Sequence, residues 1–597
     1  MGGARIYRVG TPYNGVELDE VDVEQTADVM YMAHIDHAVT KLQRFGHTDW
    51  RFSSVTFGPT LASPGGVSAT ATTPNTDAEN EGAAYFAQPA SYVVTAINDD
   101  TGQESRPSSA ASATNDLTLK RNYNTVAWSA VTGAHRYRIY KSDNTQDFGY
   151  LGTTDELSFV DDNIGPALDQ GPPVGENPFS GPGNYPSTVT LFEQRLVLAR
   201  TKNQPNAIFA SRSADFENFD TSRPLRDDDA LSIGVVAGRV NAINQMVSIS
   251  NLLALSSDAV FKIDGATDGG YLTATQTRAR RQIGRGSSRL SPIVVDNVVF
   301  YRPATGSSVR AIGYSFEQDG FKADDVTIFS PHFFRYFDIT SWAYAQEPDS
   351  LIWAVRSDGK LLCFTWEQEQ QVWGWTLCET DGRVESVCVI SEHGEDRLYL
   401  TVWRTIQGVE RLFIERMAST LWGSAADACY LDCAVSYAYD EPQATFARLG
   451  HLEGRTVNAL ADGAVVRGLV VQNGEVTLPP AVGKARKVTI GLPYVSTVET
   501  LPLVLGGDAA GRRQTLGQAV LRLVDSSQVM AGPTEDKLYL IKQRREDAYG
   551  SPDALMNGDY LISSESHVSG QTSMVIQQDA PLPLTLTGVW LEPVVGS

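Results

Sequence analysis

The sequence predicts a mainly β protein: a β-propeller of about six blades, an inserted β-sandwich, and a C-terminal β-rich (α+β) platform. Three observations point there. Asp358-Gly359, Asp381-Gly382, Asp462-Gly463 and Asn473-Gly474 each sit between β-branched or alternating runs, as hairpin turns do. Helical periodicity is scarce, and no helical tract alternates with strands as a parallel sheet would require. Strand-rich stretches of about 35–45 residues recur, each long enough for one four-stranded sheet. Such a sheet cannot bury both faces alone, and radial packing hides the faces while leaving only short edges.

Taken in order, residues 1–57 hold the N-terminal segment and a first blade (22–57). Residues 58–84, with Gly58-Pro59, Pro64-Gly65-Gly66 and an Ala/Thr-rich tail, read as a flexible link. A sandwich follows over 86–170. In it Trp128, Tyr137 and Ile139 should face one core, while Arg136 and Arg138 face water. Residues 165–186, rich in proline from Pro166 to Pro186, read as a stiff extended link. The remaining blades occupy 187–417, marked as 188–219, 229–265, 271–316, 338–378 and 383–417. After a softer break at 418–428, the platform fills 429–597. Its strands include Cys429 to Tyr437 and Val465 to Val471. Leu516, Val520, Leu523 and Val524 are spaced as on one helix face, which predicts a helix over 513–524.

A chain of 597 residues needs several cores. No apolar run reaches the length of a membrane span. Arg5 and Arg8 have no apolar stretch behind them, so no secretory signal is expected. Net charge is -23. That disfavours a protein that grips phosphates with cations, though not a conduit past which DNA must slide. Five cysteines, mostly far apart, argue for a reducing compartment rather than a disulfide scaffold.

The chemistry-bearing residues favour a scaffold. His34, His37 and His47 lack the ligand spacing of a metal site, and no cysteine lies near. Cys429 and Cys433 would stand about 13 Å apart along a strand, beyond disulfide reach. There is no phosphate loop and no nucleophile elbow. Neither catalysis nor a cofactor nor a metal is expected. Six tryptophans between Trp342 and Trp403 suit packing between blades, with a sugar platform as the competing reading. Asp227, Asp228 and Asp229, with the Glu17 to Glu20 stretch, are candidates for an acidic channel wall; a solvated loop is the simpler reading. Arg278, Arg280, Arg281 and Arg285, with Arg289, could form a basic patch meeting a neighbouring subunit. Lys542 to Arg545, followed by Glu546-Asp547, read as a self-neutralising strand end.

Several segments add a resemblance. Near the start stand Ala27-Asp28-Val29-Met30-Tyr31-Met32-Ala33-His34 and Gly46-His47-Thr48-Asp49-Trp50. Gln194-Arg195-Leu196-Val197-Leu198-Ala199 follows, then Asn203-Gln204-Pro205 and Ser211-Arg212-Ser213-Ala214-Asp215-Phe216. Asp227-Asp228-Asp229-Ala230 precedes Val240-Asn241-Ala242-Ile243. Later come Tyr314-Ser315-Phe316-Glu317-Gln318-Asp319-Gly320-Phe321, Ala343-Tyr344-Ala345-Gln346-Glu347-Pro348, His451-Leu452-Glu453-Gly454 and Asp579-Ala580-Pro581-Leu582-Pro583-Leu584. Taken in order, the series resembles the tail nozzle (tail tubular B-type) proteins of short-tailed bacteriophages. The insert resembles a fibronectin type III-like domain, on Trp128 and the Tyr137-Arg138-Ile139-Tyr140 strand after the Gly133-Ala134 turn.

The resemblance implies a virion structural protein without enzymatic activity, assembled in the host cytoplasm. Six copies would form the distal tube of the tail, below the adaptor ring and portal. DNA would leave through the bore into the host, and tail fibres or tailspikes would attach outside. The competing expectation is a carbohydrate-binding or glycan-processing β-propeller protein.

Overall fold

The computed structural model describes residues 7–76, 84–143, 147–235, 241–265, 270–317, 319–504, 512–543, 552, 554–563 and 572–595. Val240 and Gln318 of the series above, and Arg544 to Asp547, lie outside the described residues. The chain is mainly β and of the β-propeller class, built from small antiparallel sheets. It divides into two compact units, Met1–Phe329 and Ser330–Ser597.

The first unit carries four blades. The first runs up and down through Asp22–Thr26, Val29–His34, His37–Gly46 and Asp49–Ser54. The second uses Thr188–Phe192, Arg195–Ala199, Ala207–Ala210 and Leu231–Gly234. The third uses Ile243–Ser248, Leu252–Ser256, Val260–Asp264 and Arg278–Ile283; the fourth uses Ile293–Val295, Val298–Tyr301, Arg310–Ser315 and Gly320–Asp325. The last strands of the second, third and fourth blades therefore fall beyond 219, 265 and 316, where the sequence cadence ended them. In the second and third blades a long loop separates the third strand from the fourth, and that loop breaks the cadence.

Alternation explains how the blades stack. One face of the Arg195–Ala199 strand, with Leu196 and Leu198, packs against Tyr31, Ala33 and Val39 of the first blade. The other face, with Val197 and Ala199, packs against Ile243, Leu252 and Phe261 of the third. Leu253, Leu255 and Val260 then meet Val299, Tyr301 and Ile312 of the fourth.

The insert is a seven-stranded sandwich. Gly149–Thr154, Arg136–Asp143, Gln88–Ile97 and Ala111–Asn115 form one sheet. Ser158–Asp161, Tyr123–Ala127 and Ser68–Thr72 form the other. Trp128, Tyr137 and Ile139 lie in its core. The Ser68–Thr72 strand falls inside the stretch read as a flexible link, because it pairs along its length with Tyr123–Ala127. Arg136 is exposed, whereas Arg138 is half-buried and bonds Glu104 at 2.9 Å.

The second unit opens with a blade of Ile339–Ala345, Leu351–Arg356, Leu361–Glu367 and Val372–Cys378. A three-stranded sheet of Arg383–Glu392, Glu395–Ile406 and Val409–Arg416 follows and packs on it through Val384, Leu398 and Val402. Of the four turn dipeptides, Asp462-Gly463 and Asn473-Gly474 close two-residue hairpins with both φ angles positive. Asp358-Gly359 belongs to a three-residue loop after Arg356, closed by an Arg356–Gly359 backbone bond. Asp381-Gly382 joins two sheets and is no hairpin.

The C-terminal part holds two further β modules. Asp432–Gln443, Ala485–Leu492, Thr456–Ala461 and Ala464–Val470 form one sheet around Phe446, Val457 and Ile490. A four-stranded and a three-stranded sheet, spanning 496–595, enclose Leu521, Leu523 and Ile576. The helix expected over 513–524 is instead the strand Gln514–Ser526. Its pairings shift at Leu516/Gln518, Arg522/Leu523 and Leu523/Ser526. The shifts at Leu516/Gln518 and Leu523/Ser526 each place an extra residue in this strand, so its buried side runs Gln514, Leu516, Ala519, Leu521, Leu523 and Ser526. Val520 and Val524, which completed the expected helix face, are half-buried and exposed. The α element of the α+β platform is thereby corrected to β.

Candidate functional site

The acidic triad is built from the second blade outward. Its first hairpin turns at Glu193 and Gln194, both at positive φ without a glycine. That turn leads into Arg195, which is buried. Arg195 donates from Nη1 to the carbonyls of Ser211 and Asp229, each at 2.6 Å, and from Nη2 to that of Asp227 at 2.8 Å. The guanidinium thus fixes the backbone of the 227–229 loop. Burial holds its pKa below the usual arginine value.

The three aspartates then part company. Asp229 is fully buried and accepts from Ser222 N, Ser222 Oγ and Arg226 N at 2.8–2.9 Å. It pins the turn and does not line a wall. Asp228 is exposed and pairs with Arg212 at 2.9 Å. Asp227 is exposed and accepts from Thr275 Oγ1 at 2.5 Å. The Glu17 to Glu20 stretch is similarly engaged: Glu17 meets His37 Nε2 at 3.1 Å, and Glu20 meets Arg289 at 2.9 Å.

The four arginines also divide. Asp264, buried on the neighbouring strand, meets Arg278 at 3.2 Å and Arg280 at 3.0 Å, with Lys262 at 3.7 Å. Those two arginines therefore neutralise a buried carboxylate of their own blade. Arg281 and Arg285 are exposed.

The second unit holds an open cleft of about 560 Å³ lined by Asp358, Glu379, Asp381, Asp432, Arg455 and Tyr494, among others. Every one of those carboxylates has a cation. Asp358 pairs with Arg356 at 2.5 Å, Glu379 with Lys360 and Asp381 with Arg455. The Arg356 guanidinium holds Asp358 below the usual carboxylate pKa. Asp432 is bound to the buried Arg404, at 3.0 Å, which also grips Glu415 bidentately. Arg404 further donates to Thr380 and to the Asp381 carbonyl, so one side chain ties the three-stranded sheet to the module after it. Sequence reading assigned Arg404 no role, since an isolated arginine on a strand gives no signal of its partners. Arg195 stood inside a quoted segment and was equally unread.

The histidines group without forming a ligand cage. His34 and His37 rings lie 4.9 Å apart beside Tyr13. His34 Nδ1 accepts from Asp36 N at 3.1 Å. Among the described residues no set of three His, Cys, Asp or Glu side chains is placed to hold a metal ion. The tryptophans split: Trp353 lies in the core shared with the next sheet. Trp366–Trp373 and Phe364–Trp375 are cross-strand pairs within one sheet, with ring centroids 5.5 and 4.5 Å apart.

No family model and no curated protein matches the chain. Solved structures do. A protein from Lactobacillus plantarum aligns at 12% identity over 55% of this chain and 96% of its own, with a TM-score of 0.22. The periplasmic gluconolactonase PpgL of Pseudomonas aeruginosa aligns at 11% identity over 55% and 99%, TM-score 0.24. YCF48 bound to D1 peptide aligns at 10% identity over 68% and 94%, TM-score 0.25. At such identities and scores no residue role passes from those proteins to this one.

Proposed function

We propose that the chain is a structural component of a virion tail, the distal nozzle through which DNA is ejected. The observation that carries this reading is the ordered series of segments from Ala27 to Leu584 that resembles the tail nozzle proteins. Two physical features support it. The net charge of -23 suits a bore that must not hold phosphates. The carboxylates of the cleft are committed to ion pairs, and two of these, Asp432 with Arg404 and Asp381 with Arg455, fasten adjoining β modules. In this reading six copies close into a ring beneath the adaptor, DNA passes without specific binding, and fibres or spikes dock outside. Within the triad, only Asp227 and Asp228 are exposed enough to face a bore.

A map of the intact tail with this protein located in it tests the reading, together with mass photometry of the purified chain. A ring of six copies at the distal tail is expected in the map, and by mass photometry a particle of one such ring or of two paired rings. A chain that stays monomeric under every condition and is absent from virions overturns it.

A second reading, a carbohydrate-binding or glycan-processing propeller, draws on the same cleft, where Asp358, Glu379, Asp381 and Asp432 stand beside Tyr494. A glycan array and a hydrolysis assay discriminate: binding or turnover by a free monomer, lost on Asp381→Ala, favours it.

A further inference from the structure

The last sheet of the propeller series has three strands where the preceding ones have four. Among the described residues its terminal strand, Val409–Arg416, has a neighbour on one side only, Glu395–Ile406. Proteins ordinarily blunt such an edge with like charges or a covering segment. Here Val409, Leu412 and Ile414 are 54%, 50% and 78% exposed.

Hydrogen-bond phase decides which residues of this strand can accept another. The hairpin before it is a two-residue loop, Gln407-Gly408, with φ of 49° and 79°. Such a loop is closed by a hydrogen-bonded pair, here Ile406 and Val409. Antiparallel pairs then alternate, so Val409, Arg411, Phe413 and Glu415 spend their backbone groups on the inner neighbour. Glu410, Leu412, Ile414 and Arg416 point theirs outward. A regular antiparallel partner must offer outward residues in the same phase.

We propose that this edge pairs antiparallel with the same strand of a second copy of the chain, centred on Phe413. In that register Glu410 of each copy faces Arg416 of the other, Arg411 faces Glu415, Leu412 faces Ile414, and the two Phe413 side chains meet on the two-fold axis. Both polar pairs are opposite in charge and both apolar positions meet apolar ones. Registers centred on Leu412/Phe413 or Phe413/Ile414 set Glu410 against Glu415 or Arg411 against Arg416, and they also break the hydrogen-bond phase. Registers centred on Leu412 or Ile414 keep the phase, but the first sets Glu410 against Ile414 and the second leaves only Leu412–Arg416 and Phe413–Glu415. The sign order is thus self-complementary, the opposite of what guards an edge against its own copy. The contact is isologous and closes at two copies, so it adds a two-fold to any ring the chain makes.

Arg416 already pairs with Glu392 of its own chain at 2.9 Å and Glu415 with Arg404, so the second copy's Glu410 and Arg411 would share those partners. Glu410 and Arg416 of one chain stand about 20 Å apart along the strand, too far to interact directly. Charge reversal at Glu410 therefore reads only the contact between copies; reversal at Arg416 also breaks its pair with Glu392, so the double reversal and its single-variant control are made in a Glu392→Gln background. By mass photometry, Glu410→Arg should weaken pairing at least about tenfold, and Glu410→Arg with Arg416→Glu should restore it. Phe413→Cys in a Cys388→Ser background should give a disulfide-linked dimer on a non-reducing gel, because facing residues of a non-hydrogen-bonded pair lie about 4.5 Å apart between Cα atoms, within disulfide reach. Pairing is read as a doubling of whatever particle the Glu410→Arg chain forms, monomer or ring, so loss of pairing and loss of the ring are separate results. An undoubled wild-type particle, no rescue by the double reversal, or no covalent dimer each overturns the proposal.

Discussion

The second blade and the last sheet of the series have strands of similar character and opposite surroundings. In the second blade every residue of Arg195–Ala199 and Ala207–Ala210 is buried, because neighbours cover both faces. In the last sheet most residues of Arg383–Glu392 and Val409–Arg416 are exposed or half-exposed, and one face alone meets a core. The difference teaches that a small sheet draws its stability from its neighbours. The same four or five apolar residues hold a blade rigid when enclosed and become a contact surface when not.

The largest effect should come from breaking that enclosure. Leu198 is fully buried between the first and second blades. Leu198→Ala should cost about 3 kcal/mol, through lost transfer energy and the cavity left behind. Leu412→Ala in the last sheet should cost no more than about 0.5 kcal/mol. Hydrogen exchange of the two strands reads both. Equal losses would mean that burial does not separate the two sheets.

Next in size is the polar lock that compensates the last sheet for its open face. Arg404→Met removes the cation shared by Glu415 and Asp432 and leaves both carboxylates unpaired, at about 3 kcal/mol or somewhat less, since both acids are partly hydrated. Adding Glu415→Gln and Asp432→Asn should recover most of the loss. Limited proteolysis around residues 418–428 is the readout, and unchanged cutting in Arg404→Met would show that the network carries no stability.

A third test concerns the sandwich. It is fastened to the second-blade region: Arg106 forks onto the buried Asp220 at 2.7 and 2.8 Å, and Gln103 donates to Asp215 at 2.6 Å. Gly171–Val174 pairs with Thr221–Arg223. Excising only 86–170 would orphan the Ser68–Thr72 strand and Asp220 together. Arg106→Met should cost about 2 kcal/mol and Arg106→Met with Asp220→Asn clearly less, by urea unfolding of the first unit. A sandwich tethered by linkers alone would show neither loss.

These tests also mark how far the sequence could be read. The blades, the sandwich core at Trp128, Tyr137 and Ile139, and three of the four hairpin turns were legible because period-2 alternation and Asn-Gly or Asp-Gly turns are local signals. The Glu193-Gln194 turn was not, since it takes positive φ without glycine. The Gln514–Ser526 strand was misread because Leu516, Val520, Leu523 and Val524 fall at helical spacing by composition, although Val520 and Val524 are not on the strand's buried side. The candidate site residues were visible only as charges. Which of them are spent inside the fold, as Asp229 and Arg278 are, depends on partners such as Ser222 and Asp264. No spacing encodes those partners.

The smallest effect sharpens the comparison at the first blade. Burial, then the neighbouring Asp22, lifts Glu24 from the ordinary 4.5 to about 7. His34 moves the other way: burial, then His37, lowers its pKa. Its Nδ1 already accepts from Asp36 N, leaving no place for a second proton there. The signs follow from which state binds more protons. Between pH 4.5 and about 7 the folded state holds the Glu24 proton more tightly than the unfolded chain, so stability from this group is full in acid and falls as pH rises. Below the ordinary histidine value of 6.5 the unfolded chain takes up a proton that folded His34 refuses, so stability falls as pH drops. The two slopes oppose each other near pH 6. Glu24→Gln should therefore unmask a first blade that gains stability as pH rises toward 6.5, and should exceed wild type at pH 8 by about 1 kcal/mol after allowance for solvent screening. His34→Asn should unmask the reverse slope. Hydrogen exchange of Val29–His34 across pH 5 to 8 measures both, and parallel profiles for wild type and the two variants would show that neither group titrates with folding.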